Sequence, residues 1–289
     1  MKVGLVDVDS HNFPNLALMK ISAWHKAKGD HVEMLNFLLP YDIAYKSKIF
    51  TKEYSPDIDY PIQADEVFKG GTGYDLVNKL PDEIEHMYPD YSLYGIEDKA
   101  YGFLTRGCPR GCPFCIVKEK EGNTHTVADL SEFWRGQKEI VLMDSNITAS
   151  KDCERLFDDL IASKATINFE GGVDVRLLTD KGAHQINQMK VSMLHFAWDN
   201  YEFKTYEKLK MVRPILKLDG RRLRVYVLTN YNTTIDQDLE RVYKLRELDY
   251  DPYIMIYDKP HAPREIKRLQ RWVNNKFIFR SCERFEDYR

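Results

Sequence analysis

The sequence predicts an α/β protein built from parallel sheets, and three observations carry that reading. Past residue 100, short apolar runs rich in β-branched and aromatic residues alternate with amphipathic stretches, the pattern of strands joined by crossover helices. The opening of the chain repeats that order on a smaller scale, as strand, loop, helix and strand within 35 residues. Composition agrees, since 289 residues at 43% hydrophobic content suit one large or two modest globular domains. The division expected is a small unit over residues 1–95, linker included, and a larger one over 96–289.

Taken in order, Lys2-Val3-Gly4-Leu5-Val6-Asp7-Val8 is an apolar strand entering a polar loop, followed by a helix from Leu16 to Lys28. Gly29 ends that helix, and His31 to Leu35 makes a second strand. The polar stretch Tyr41 to Tyr60 shows no strand pattern. Beyond it Glu66-Val67-Phe68-Lys69 reads as a strand running into Gly70-Gly71-Thr72-Gly73-Tyr74. A glycine cluster after a strand either lets backbone amides meet a phosphate or large cofactor, or makes a tight turn. The order is that of a small doubly wound domain. Pro81 to Lys99, rich in Pro, Tyr and acidic residues, reads as an ordered linker with a solvated face.

Six strands are expected after the linker: Gly102 to Arg106, Ile140 to Met143, Thr166 to Phe169, Ser192 to Ala197, Leu223 to Leu228 and Tyr253 to Tyr257. Between them lie amphipathic stretches at Cys153 to Ser163, Lys181 to Met189, Glu202 to Leu209 and Ile235 to Leu248. Ligands of parallel sheets bind at the carboxyl ends of the strands. That rule selects Asp144-Ser145-Asn146, the run Glu170-Gly171-Gly172-Val173-Asp174-Val175-Arg176, Trp198-Asp199-Asn200 and Asn230. Asp144 and Asn146 can accept from an ammonium, or Asp144 or Ser145 caps the next helix. Arg176 can fork onto a carboxylate while Asp174 binds hydroxyls, or the two pair with each other. Asn230 suits either a ligand or a turn.

Three cysteines stand in the run Cys108-Pro109-Arg110-Gly111-Cys112-Pro113-Phe114-Cys115. The C-x3-C-x2-C spacing can ligate three irons of a [4Fe-4S] cluster and leave the fourth open to a chelating small molecule. A Cys3His zinc site, with His125 as the fourth ligand, is the alternative. Disulfides are not expected: five cysteines include the isolated Cys153 and Cys282, and residues 1–30 show no basic-then-apolar leader. A reducing, cytoplasmic setting is the expectation. Gly107 and Gly111 allow the backbone to wrap round a bulky group, and Pro109 and Pro113 restrict the loop.

The stretch from Tyr101 to Val117, with an aromatic Phe114 directly before the third cysteine, resembles the signature of the radical S-adenosylmethionine (SAM) superfamily. The resemblance implies a partial (β/α)6 TIM-like barrel. It also implies a cluster held by Cys108, Cys112 and Cys115, whose open iron binds the amino and carboxylate groups of SAM, and an electron that cleaves SAM to a 5'-deoxyadenosyl radical. By position, Phe114, Asp144, Asn146, Asp174, Arg176 and Asn230 become the SAM-facing candidates, although the family's Gly-Gly-Glu motif is absent. The first unit resembles the Rossmann-like, flavodoxin-like cobalamin-binding domain found ahead of many such barrels. Gly70, Gly71, Thr72 and Gly73 would then face the cofactor, and Asp9-Ser10-His11-Asn12-Phe13-Pro14 is similar to the cobalt-ligating Asp-x-His-x-x-Gly motif, with Pro14 in place of its glycine. A fold retained without cobalamin is the expected outcome.

Net charge −3, from 42 Lys plus Arg against 45 Asp plus Glu, provides no general basic field for nucleic acid. No apolar run reaches membrane-spanning length. The 18 Tyr and 14 Phe are read as core rather than as a stacking platform, because no basic stripe accompanies them. The basic helix Glu265 to Arg271 is read as surface charge. No cysteine precedes Cys108 and none neighbours Cys282, so no second cluster of the methylthiotransferase kind is expected. The function expected is a radical SAM enzyme acting on a small molecule or peptide and reduced by a flavodoxin or ferredoxin. A cobalamin-dependent methyltransferase, a zinc-bearing interaction module and a nucleic-acid modifying enzyme stand as alternatives.

Overall fold

The computed structural model describes residues 1–11 and 13–288. Asn12, within the Asp9 to Pro14 run, lies outside the described residues. The chain forms two compact units. The first comprises Met1–Gly102, Arg110–Gly122 and Ala128–Lys138; the second comprises Phe103–Pro109, Asn123–Val127 and the chain from Glu139.

In the first unit, β1 (Lys2–Asp7) buries its four central residues, as a strand covered on both faces must. Helix α1 (Leu16–Ala27) begins where the Asn15 side chain accepts the Leu18 N–H. It gives way to Gly29 at φ +84, a left-handed position suited to glycine. Strands β2 (His31–Met34), β3 (Tyr41–Ser47) and β4 (Ala64–Gly70) complete a parallel sheet ordered β2-β1-β3-β4. The strand order reverses between β1 and β3, the usual place for a ligand in such sheets. Val3, Leu5, Leu18, Ile21, Val32 and Ile84 form the core, the last from the short helix α2 (Asp82–Glu85).

Strand β3 lies in the stretch that showed no strand pattern. Its sequence hides it because a lysine takes a buried place: the Lys46 ammonium meets the Ile58 carbonyl at 2.6 Å and Asp57 at 2.7 Å. A buried cation so partnered is stable in the interior, yet it erases the apolar alternation that marks a strand.

Next along the chain come β5 (Lys99–Gly102), β6 (Thr105–Arg106), α3 (Val117–Glu121) and β7 (His125–Thr126). The strand expected over Gly102 to Arg106 is thus two strands with a break at Phe103 and Leu104. The break has a local cause, because the Leu104 amide donates to the Asp144 carboxylate at 3.2 Å instead of to a strand neighbour. Strands β6 and β7 pair antiparallel, Thr105 opposite Thr126 and Arg106 opposite His125.

The second unit continues as β8 (Glu139–Leu142), α4 (Cys153–Ser163), β9 (Thr166–Phe169), α5 (Asp180–Ile186), β10 (Lys190–Ala197), α6 (Phe203–Val212), β11 (Leu223–Thr229), α7 (Ile235–Glu247), β12 (Asp251–Ile256), α8 (Arg264–Asn274) and α9 (Lys276–Ser281). These five strands run parallel in the order β12-β11-β10-β9-β8. Each expected strand from Ile140 onward is present within two residues at either end. Ile140, Ile167, Leu194, Val225 and Ile254 are fully buried, as are Phe157 and Leu160 of α4. Complete burial of each such side chain contributes about 2 kcal/mol relative to exposure. The helices start on defined caps: Thr179 accepts from Gly182 in α5, and Thr234 and Gln237 form a reciprocal capping box in α7.

Candidate functional site

The polar side chains of the second unit gather where the sequence placed them, at the carboxyl ends of β8 to β11, but many have different partners from those expected. Asp144, two residues past β8, is 2% exposed. Its carboxylate accepts the amides of Leu104 and Thr105, and the Thr105 hydroxyl at 2.7 Å. Burial, opposed by these hydrogen bonds, pushes the carboxyl up from 3.8 to about 6. Asp144 therefore clips the segment that leads into Cys108, and both of its oxygens already accept protons. Neither Asp144 nor Ser145 caps the next helix, since Asp152 precedes α4, and Asn146 makes no capping bond to the turn over Ile147–Ala149.

Asn146, 3% exposed, directs its amide nitrogen at the Cys108 sulfur, 3.4 Å away. Its carbonyl oxygen accepts the Thr148 hydroxyl at 3.0 Å. The Thr148 oxygen in turn accepts the Asp174 amide at 2.9 Å, which joins the end of β8 to the segment after β9. Thr124 donates to the Gly107 carbonyl at 3.0 Å, a second hold on the residue before Cys108. Sequence reasoning missed Thr105, Thr124 and Thr148, whose roles depend on chain crossings rather than on local pattern.

Gly171 is required by close approach, since a Cβ there would stand 2.1 Å from the Asp144 carbonyl oxygen. Arg176 holds Asp174 through Nε at 2.7 Å and Nη2 at 3.2 Å, and holds Glu202 through Nη1 at 2.9 Å. Burial lowers its proton affinity, but hydrogen bonds and charge from Asp174 and Glu202 outweigh burial and raise it. The mutual pairing of Asp174 and Arg176, one of the two readings drawn from sequence, is present. Asn230 sits at φ +60 and donates to the Tyr257 carbonyl at 2.8 Å, which is a turn role. Beneath these ends the wholly buried Arg241 donates to the carbonyls of Trp198 at 2.6 Å and Leu228 at 2.7 Å, fixing the ends of β10 and β11.

The three cysteines are free thiols, Cys108 and Cys112 half-buried and Cys115 exposed. Within the first unit the Cys115 amide donates to the Cys112 carbonyl at 2.9 Å, so the two share a tight turn beside the half-buried Phe114. Gly107 and Gly111 both adopt left-handed backbone, φ +85 and +59. Among the described residues no three His, Cys, Asp or Glu side chains converge to hold one metal ion. A tetrahedral zinc requires that convergence. The thiolates of a cubane converge as well, each on a different iron of one compact group. The donor set is of the kind a cluster takes: three thiols at C-x3-C-x2-C spacing, with the Asn146 amide directed at one sulfur. His125 is exposed, and its Nδ1 lies 2.9 Å from the Asn123 carbonyl. Cys153 is no part of the set, and burial pushes its thiol up to about 12.

In the first unit the glycine-cluster candidates for cobalamin are engaged by their own chain. His11 is exposed at φ +51. Asp9, 2% exposed, accepts the amides of Ile49 at 2.7 Å and Phe50 at 2.9 Å, and pairs with the buried Lys48 ammonium at 3.2 Å. Burial would raise the Asp9 carboxyl, but these donors together hold it below the usual range. A Cβ on Gly71 would stand 2.2 Å from the Lys48 carbonyl oxygen, and one on Gly73 would stand 2.4 Å from that of Phe50. Thr72 donates to the Ile49 carbonyl at 2.6 Å, and Gly70 accepts the Lys48 amide at 3.0 Å. The close approach that the glycines permit is made by the loop after β3.

No protein-family model matches the chain, and no curated protein matches it significantly. Among solved structures, the radical SAM methyltransferase TsrM from Kitasatospora setae, with cobalamin and a [4Fe-4S] cluster bound, matches at a TM-score of 0.63. The match covers 88% of this chain and 74% of that one at 11% identity. The two chains share a fold. At that identity the likeness extends to the α/β architecture with parallel sheets and leaves the chemistry to be argued from the residues. Among the described residues no helix is long and apolar enough to cross a membrane.

Proposed function

We propose that this protein is a cytoplasmic radical SAM enzyme with a partial (β/α)6 barrel, in which Cys108, Cys112 and Cys115 hold a [4Fe-4S] cluster. The observation that carries the reading is the C-x3-C-x2-C run, entered from a segment clipped by a buried carboxylate, in a fold shared with a radical SAM methyltransferase. When bound, the cluster would supply the electron that cleaves SAM to methionine and a 5'-deoxyadenosyl radical. The chain's own residues ligate, orient and exclude water. Asp144 and Thr124 hold the approach to Cys108. Phe114, Asp144, Asn146, Asp174, Arg176 and Asn230 are the proposed SAM-facing set, Asp144 also holding the approach to Cys108. Within it the Asp174–Arg176–Glu202 ion pairs keep the guanidinium rigid at the strand ends. A flavodoxin or ferredoxin is the proposed reductant, and a small molecule or peptide the proposed substrate.

Anaerobic reconstitution with iron and sulfide tests this directly. The native chain should gain cluster absorption and form 5'-deoxyadenosine from SAM. Cys112→Ala should lose both, and SAM cleavage retained in that variant excludes the assignment. Zinc without iron or sulfide in metal analysis would support the zinc alternative.

A cobalamin-dependent methyltransferase is favoured by one observation, the cobalamin bound in the structural neighbour. Asp9 and the glycine loop of the first unit do not fit that cofactor. Asp9 is taken up by the Ile49 and Phe50 amides, and the glycine loop is packed on residues 48–50. Adding hydroxocobalamin during reconstitution should leave no bound corrin absorption after desalting; a stoichiometric corrin spectrum would reinstate the methyltransferase reading.

A further inference from the structure

Asn146 is a buried amide. It stands before a short turn, where asparagine ordinarily caps, yet it makes no capping bond. Both ends of its side chain are directed elsewhere. Thr148 accepts the Asp174 amide at 2.9 Å. Its hydroxyl can donate to two acceptors, and the Asn146 oxygen at 3.0 Å is nearer than the Asp174 carbonyl at 3.3 Å. An amide oxygen that accepts from Thr148 leaves the NH2 end facing the Cys108 sulfur at 3.4 Å, within hydrogen-bond range for sulfur. The hydroxyl therefore decides which way the amide is turned, an orientation that side-chain shape alone does not fix.

We propose that Asn146, oriented by Thr148, donates a hydrogen bond to the Cys108 ligand sulfur and raises the reduction potential of the cluster. The inference rests on the proposed function, since it presumes that Cys108 is a cluster ligand. The physical basis is that an N–H directed at a ligand sulfur draws electron density from it, stabilising the reduced cluster relative to the oxidised one. Asn146 and Thr148 are positioning residues. The Asp174 amide links them to the segment after β9, where Arg176 pairs with Asp174 and Glu202. Three hydrogen bonds thus connect that rim to the sulfur.

The test is a spectroelectrochemical titration of the reconstituted full chain, with iron and sulfide content measured in the same samples. Asn146→Ala and Asn146→Asp should load the cluster and shift its midpoint potential to more negative values. The shift should be larger for Asp, which replaces the donor with an acceptor. Thr148→Val should move it in the same direction by less, and Thr148→Ser should restore the native value. Should the Asn146 variants fail to load, Thr148→Val still decides, because it leaves Asn146 in place. Native potential in loaded Asn146→Ala, or in loaded Thr148→Val if only that variant loads, overturns the inference and leaves the proposed function standing. Absence of any cluster in the native chain overturns both.

Discussion

Replacing Asp144 with alanine removes the acceptor for three donors at once: the Leu104 amide, the Thr105 amide and the Thr105 hydroxyl. Leu104 and Thr105 are fully buried. Each donor left without a partner costs about 1–3 kcal/mol, so the loss is on the order of 6 kcal/mol. Against this stands relief of a buried charge. The carboxyl is pushed from 3.8 to about 6, chiefly by burial, and at about 1.4 kcal/mol per pH unit the relief is roughly 3 kcal/mol at neutral pH. The donors win, and a net destabilisation of about 3 kcal/mol is expected near pH 7. The pH dependence has a definite sign. A folded-state value above the unfolded one means the native chain carries stability that is complete below about pH 4 and lost as pH rises through about 6. The variant lacks that slope, so its penalty should be larger at about pH 4 than at about pH 7.5. Urea unfolding at the two pH values measures the penalty, and hydrogen exchange reports the Leu104 and Thr105 amides individually. Unchanged protection of both amides, or a penalty that grows with pH, would refute the reasoning.

Two further substitutions separate close approach from open space. Gly171→Ala places a Cβ 2.1 Å from the Asp144 carbonyl oxygen and should cost about 1–3 kcal/mol or more, whereas Gly172→Ala, whose nearest neighbour is the Ser145 carbonyl oxygen at 3.8 Å, should fall within about 0.5 kcal/mol of native. Urea midpoints measured side by side check the contrast. In the first unit, Asp9→Ala leaves the 2%-exposed Lys48 side chain without its carboxylate and should destabilise that unit by about 3–5 kcal/mol. Hydrogen exchange at Ile49 and Phe50 reads the effect. The native Asp9 contribution is present above the ordinary carboxylate value and is lost as pH falls through its lowered one, the opposite sign to Asp144.

What was legible in the sequence was local, and what was not depended on chain crossings. Helix α4 was readable to its ends because an amphipathic period repeats within a dozen residues. The cysteine run stands out because its spacing is short-range. The carboxyl-end rule found the right places for Asp144, Asn146, Asp174 and Arg176, since strand ends follow from apolar runs. It could not find their partners, because Asp144 reaches back 40 residues to Leu104, Asn146 reaches 38 to Cys108 and Arg176 reaches 26 forward to Glu202. At such separations a side chain of the right chemistry is as readily engaged by its own chain as by a ligand. The same physics hid β3, whose buried Lys46 and following Lys48 look solvated until Asp57 and Asp9 are brought to them. The glycine cluster shows the point in reverse: its permissiveness was real, but the backbone that came close was that of residues 48–50. Polar residues at strand ends are therefore best weighed by which of their bonding positions the fold leaves unfilled. By that measure the Asn146 N–H, directed at sulfur rather than at a structural partner, discriminates between scaffold and chemistry better than the carboxylates that first drew notice.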